Sequence, residues 1–333
     1  MPVELIAILD PESAENVLEA IPDPSARLIT TAGLSVCVIE PQRPPGVLAR
    51  LLANAKTLTA PMIARQQLFE HLLRCGDVLP VKPGTVLSDR DVHTFLRTNA
   101  ELLRETHCTF TGHVQYQLSV RWNPAQALQN FRDAPELEGC HSAQAIAAAA
   151  EALRSRLGHS FGEELDSAIS NRIALPIDGI DTVLNTVLLV HRDDTNKLDQ
   201  ALERIDAIWT EGLQLKLTGP LPPMSFALVT LRNISPSDRD EARALLGGVD
   251  GTDAASIDRA FRARVKQSHA DLGGDGDDLS PLVAARNLLK RLLEVDAALG
   301  SSVPKTAMLA EIRSDDKAQP KQPVPEPSIE AVS

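Results

Sequence analysis

Five side chains of types that bind zinc, His107, Cys108, His113, Cys140 and His141, fall within one stretch of the chain. Imidazole and thiolate are the usual ligands of that ion, but their spacing here matches no known zinc pattern, and His113 opens a strand. Scattered histidines and cysteines that belong to the core are the expected outcome. Hydrolysis needs a nucleophile beside a base, and the candidates are His159-Ser160 and His269-Ala-Asp271. Neither carries an elbow of the GxSxG kind or an oxyanion loop. The run Gly273-Gly-Asp-Gly-Asp-Asp278 gathers carboxylates of the sort hard cations want. It lacks the register and terminal Glu of an EF-hand and reads as a solvated acidic loop. These residues therefore predict no catalytic group, no metal and no cofactor: a protein that binds other proteins and is not an enzyme.

Composition narrows the partners. The chain has 333 residues, 43% hydrophobic and 23% charged, enough apolar side chain for two or three cores. The formal net charge is −12, and only ten residues are aromatic (seven Phe, two Trp, one Tyr). Nucleic acid is excluded on both counts, since its affinity comes from Lys and Arg on phosphates and from bases stacked on rings. The opening Met1-Pro-Val-Glu4 carries no Lys or Arg before its apolar run, which reads as a first strand and not as a secretory signal. No apolar stretch of about 18 residues occurs, so no membrane insertion is expected and the cytoplasm is the expected location. Cys37, Cys75, Cys108 and Cys140 form no CxxC pair and predict reduced thiols.

The elements that would position any site follow from periodicity. Residues 4–9 and 27–40 read as strands, and Thr59-Ala-Pro61 reads as a helix start ahead of Ile63, Leu68, Phe69, Leu72 and Leu73. Val78-Leu-Pro-Val-Lys-Pro-Gly-Thr-Val86 is β-rich but broken by prolines, so it forms an edge strand or a shaped loop. Ser88-Asp-Arg-Asp91 is a capping box for a helix carrying Val92, Phe95, Leu96, Leu102 and Leu103. Together these predict an α+β domain over 1–112.

Between 113 and 122, Val114, Tyr116, Leu118, Val120 and Trp122 alternate with Gln115, Gln117, Ser119 and Arg121, which predicts a strand with one buried face. Helical stretches at 143–157 and 161–172 follow, then two strands flanking Asp178-Gly179, a helix from Lys197 to Trp209 and a strand at Leu213–Thr218. The order β-α-β-β-α-β predicts a ferredoxin-like domain over 113–232, with an extra strand at 226–231 extending its sheet. Ser235-Pro-Ser-Asp238 caps the first helix of a small helical module over 236–299. Beyond 300 the Pro-, Lys- and Glu-rich composition predicts a disordered tail.

Two segments resemble the hallmark runs of the GvpL/GvpF gas vesicle proteins. Val78-Leu-Pro-Val-Lys-Pro-Gly-Thr-Val86 is similar to the family's VLPxxFGT run, and Gly219-Pro-Leu-Pro-Pro-Met-Ser-Phe226 to its GPWPPYxF run. Pro83 stands where the family usually has Phe, and Leu221 and Met224 where it has Trp and Tyr. Their order and separation, with the strand at 113–122 between them, extend the resemblance over residues 1–232. It implies two α+β domains, the second ferredoxin-like, and a role in gas vesicle assembly through the small hydrophobic shell protein GvpA and other gas vesicle proteins. Carried over position by position, the partner-binding residues are Val78, Pro80, Gly84, Thr85, Gly219, Pro220, Leu221, Pro222, Pro223, Met224 and Phe226. The proline-rich segment also reads as a rigid chain reversal, because proline fixes φ and glycine permits the turn.

The carboxyl module resembles a J domain, through Ala244-Leu-Leu-Gly247, Ile257-Asp-Arg-Ala-Phe261 and His269-Ala-Asp-Leu-Gly-Gly-Asp275. Ala270 replaces the proline of the HPD tripeptide, leaving His269 and Asp271 as the J-like loop. That resemblance implies a degenerate protein-binding module and, as the alternative function, a co-chaperone of a DnaK-type ATPase.

Overall fold

A computed structural model describes residues 1–12, 17, 21, 23–41, 55–210, 212–249, 253–271, 279–300 and 306–314, the side chains of 55–63 and 268–271 excepted. The chain divides into two compact units, one joining Met1–Thr111 to Val229–Ile312 and the other built on Gly112–Leu228.

The first unit begins with an antiparallel sheet. Strand β1 (Pro2–Leu9) lies between β3 (Leu34–Ile39), itself paired with β2 (Arg27–Thr31), and the short strands β4 (Val78–Pro80) and β5 (Val86–Ser88). From Val3 to Leu9, and throughout β3, every side chain is buried, as an apolar run without alternation requires of a strand covered on both faces. Helix α1 (Ala55–Cys75) contributes Leu68, Phe69, Leu72 and Leu73 to the core. It starts ahead of the expected position and takes Pro61 into its length. Ser88 caps the helix as expected, its Oγ accepting from Asp91 N at 3.2 Å at the start of α2 (Asp89–Thr98), while the Asp91 carboxylate accepts from Ser88 Oγ at 2.6 Å in place of the backbone bond of a full capping box. The apolar pattern that predicts one helix beyond it is split at Asn99, after which α3 (Ala100–Phe110) begins.

The second unit is ferredoxin-like. Its elements are β6 (His113–Trp122), α4 (Pro124–Asn130), α5 (Ala143–Asp166), β7 (Asn171–Ala174), β8 (Thr182–His191), α6 (Thr195–Ile208) and β9 (Leu213–Leu221). The sheet order is β7-β8-β6-β9 with all pairs antiparallel, the arrangement the β-α-β-β-α-β order implies. Helix α5 is a single element where two stretches were expected. A Cβ on Gly158 would stand 2.9 Å from the Val183 carbonyl oxygen, so this glycine allows close approach of helix to strand.

Strand β10 (Leu228–Ile234) corrects the expectation of a fifth strand in this sheet, for it pairs with β11 (Ala307–Arg313) in a separate two-stranded sheet. The same pairing corrects the expected tail at its start. Within the polar sequence after 300, Ala307, Leu309 and Ala310 are apolar at the positions that become buried. Helices α7 (Pro236–Leu245), α8 (Ala254–Asp271) and α9 (Ser280–Leu299) stand between β10 and β11 in the chain. Ile234, Ile257, Leu289, Leu292, Val295, Ala307 and Leu309 form one core. The helical module is thus closed by a strand from each end and shares a compact unit with the amino-terminal sheet. The reciprocal capping box of Ser235 and Asp238 starts α7 as the sequence predicts.

Candidate functional site

The proline-rich segment is held at the outer edge of the second unit's sheet. Gly219 has φ +144°, and a Cβ there would meet Tyr116 Cδ1 at 2.7 Å and the Gln115 carbonyl oxygen at 2.8 Å, so only glycine fits. The Gly219-Pro220 bond is cis, and the register with β6 slips here, Gln117 facing Thr218 while Gln115 faces Leu221. Beyond the slip the chain turns back on itself. Met224 N donates to Pro222 O at 2.7 Å, and Phe226 N and Ala227 N donate to Pro223 O at 3.0 and 2.8 Å.

Within this turn Pro222, Pro223 and Phe226 are buried, Leu221 and Met224 are half-buried, and Gly219 and Pro220 are exposed. The buried amide of Gln115 fastens the turn, its Oε1 accepting from Ser225 N at 2.8 Å. Alternation along β6 places Gln115 on the polar face with Gln117, yet it is only 6% exposed. Its role depends on a turn about a hundred residues later, which periodicity cannot reveal; a polar residue opposite a proline run is the only trace in the sequence.

The Val78–Val86 run is also built around one polar side chain. Val78, Leu79, Pro80 and Val81 are buried, and the chain leaves the sheet between β4 and β5 through a turn at Lys82–Thr85. Gly84 takes φ +80°. Val81 N donates to Ile6 O and Leu5 N to Thr85 O, each at 2.9 Å, so the turn is laced to β1 on both sides. The buried carboxylate of Glu4 accepts from Gly84 N at 2.9 Å and from Arg65 Nη2. Val81 bridges Val229 in parallel, and Lys82 N donates to Val229 O at 2.8 Å. Pro83 and Val86 are exposed. Glu4 inside Val3-Glu-Leu-Ile6 is a charged residue in an apolar strand, a signal of its function as a backbone anchor.

The zinc candidates are dispersed. His107 Nε2 lies 3.3 Å from Asp77 O, His113 Nε2 lies 3.1 Å from Ser170 Oγ, and Cys140 Sγ donates to Glu136 O at 3.5 Å. Among the described residues no group of three or more His, Cys, Asp or Glu could hold a metal ion. His159 pairs with Glu163 at 3.3 Å on the exposed face of α5. The backbone of His269 and Asp271 belongs to the last turn of α8, their side chains and Gly273–Asp278 lying outside the described residues. Among the described residues no helix is long and apolar enough to cross a membrane.

The family model of gas vesicle synthesis protein GvpL/GvpF matches residues 5–228. The chain belongs to the GvpL/GvpF family. The match ends where the second unit ends and takes in both proline-bearing runs. Among solved structures the chain is similar to the gas vesicle protein GvpF from Anabaena sp. PCC7120, with TM-score 0.52 and 17% identity over 67% of this chain and 94% of that one. The gas vesicle protein GvpF from Microcystis aeruginosa gives TM-score 0.47 and 17% identity over 67% and 97%. No curated protein sequence matches the chain. This GvpL/GvpF chain is therefore a gas vesicle protein whose helices α7–α9 and strand β11 lie beyond the matched region.

Proposed function

We propose that the chain binds the small hydrophobic shell protein GvpA and assists gas vesicle assembly in the cytoplasm, by covering apolar surface and not by bond chemistry. The observation that carries this reading is the turn after β9: buried prolines and the Gln115 amide hold it in one shape, and Leu221 and Met224 stand half-exposed beside it. An apolar pair on a rigid turn suits an apolar partner, because ordering the turn is complete before binding. Leu217, 37% exposed on β9, adds apolar surface to the same strand.

Co-expression with GvpA tests it. The wild-type chain co-purifies with GvpA, and Leu221→Asp with Met224→Asp abolishes the association while the variant keeps the wild-type circular dichroism spectrum and a cooperative thermal transition. Electron microscopy of cells lacking the gene shows fewer or misshapen vesicles. Normal vesicles in those cells, or no recovery of GvpA with the wild-type chain, would sink the proposal.

A further inference from the structure

A groove of about 920 Å³ lies in the first unit, between one face of α2 and the β10–β11 ribbon with the end of α9. Arg90, His93 and Arg97 line it from α2 at helical spacings of three and four, Asn233 lines it from β10, and Leu299 and Met308 supply its apolar part. Among the described residues, neither Arg90 nor Arg97 has a side-chain hydrogen bond or ion pair, and both are exposed. Asp91, the acid in the groove, is engaged at the start of α2, where it accepts from Ser88 Oγ at 2.6 Å. The His93 ring is tied to Thr31 Oγ1. Two unengaged guanidinium groups therefore face one groove on a chain whose net charge is −12.

We infer that this groove binds an extended acidic segment of a partner protein, carboxylates on Arg90 and Arg97 and an apolar side chain between them on Leu299 and Met308. Seven residues of helix separate the two arginines by about 10 Å, and carboxylates four residues apart on one face of an extended chain are separated by about 13 Å, with the residue midway between them on the same face; the long arginine side chains span the difference. Guanidinium forks take carboxylates in bidentate fashion, which gives such a segment register as well as charge. The Asn233 amide can pair with the backbone of the bound strand. The groove combines α2, inside the family match, with elements beyond residue 228, and it shares no residue with the turn that carries the GvpA reading.

Fluorescence anisotropy with the full-length protein at low salt tests the inference. The probe is a fluorescein-labelled peptide, Gly-Ser-Glu-Ala-Leu-Ala-Glu-Ser-Gly, whose two Glu and Leu share one face when extended, beside an analogue with both Glu replaced by Gln. The acidic peptide binds, the Gln analogue binds at least about fivefold more weakly, and Arg90→Gln with Arg97→Gln weakens the acidic peptide about tenfold. Tm stays unchanged in that variant, and Lys82→Gln, which removes an exposed charge elsewhere, leaves affinity unaltered. No binding, equal binding of the two peptides by the wild-type protein, or full affinity in the double variant overturns the inference. Complete displacement of the peptide by millimolar inorganic phosphate also overturns it, by marking a small-anion pocket.

Discussion

Asn99 grips Ala310 from 211 residues away, its Oδ1 accepting the Ala310 amide at 2.8 Å. The Asn99 side-chain amide donates to Met308 O at 3.0 Å and to Phe95 O at 2.8 Å, and Arg291 Nη2 donates to Oδ1 at 3.2 Å. One fully buried residue at the α2–α3 junction thus completes the backbone pairing of β11 and ties it to α9.

Asn99→Leu removes these partners and leaves the Ala310 amide and Met308 carbonyl unpaired in the interior. Each orphaned group costs about 1–3 kcal/mol, so urea denaturation should show a loss of about 2–4 kcal/mol. Limited proteolysis should cut near β11 first in the variant. A loss below about 0.5 kcal/mol would mean that water replaces the side chain.

Gly219→Ala places a methyl group against Tyr116 and the Gln115 carbonyl in a backbone region that side chains avoid. Strain and overpacking each cost about 1–3 kcal/mol, and thermal unfolding should register a drop of at least about 2 kcal/mol. Gln115→Leu, which leaves Ser225 N unpaired, should cost about 1–3 kcal/mol and weaken GvpA association in the same assay.

Asp258 on α8 accepts from Lys290 Nζ at 2.7 Å and Arg286 Nε at 2.6 Å on α9. The Lys290 and then the Arg286 hydrogen bond hold its carboxyl below the usual carboxylate range. A depressed folded-state pKa contributes stability that is present above the unfolded value and is lost as pH falls through the folded one. Wild-type Tm should therefore decline as acid is added below the ordinary Asp range. The slope should be shallower in Asp258→Asn, and identical slopes would dismiss the pair.

Burial, with a smaller push from the Asp23 carboxylate, raises the Cys37 thiol to about 12. Cys108 is exposed. Iodoacetamide at mildly alkaline pH should alkylate Cys108 in the native protein and reach Cys37 only in denaturant, because the thiolate is the nucleophile. Peptide mass spectrometry reads both sites.

Much of the second unit is legible in its residues. Period two at Val114, Tyr116, Leu118, Val120 and Trp122, and helical spacing from Leu198 to Ile205, are local signals that survive folding because the buried face is chosen within each element. The same holds for Ser88 and Ser235 with the carboxylates three residues on, whose bonds form inside a single turn. The proline-bearing runs identify the family, yet not which of their residues are covered.

By itself, then, the sequence determined the ferredoxin-like arrangement of the second unit, the starts of α2 and α7, and the GvpL/GvpF resemblance. Only the tertiary structure decided that β10 leaves the second unit's sheet for β11, that Asn99 divides a continuous apolar pattern into two helices, and that Glu4 and Gln115 are buried anchors. The physical reason is shared: each depends on a backbone group that the chain supplies about 80 to 210 residues away. A strand edge or a buried amide takes whichever partner folding brings to it, and propensity carries no information about that partner.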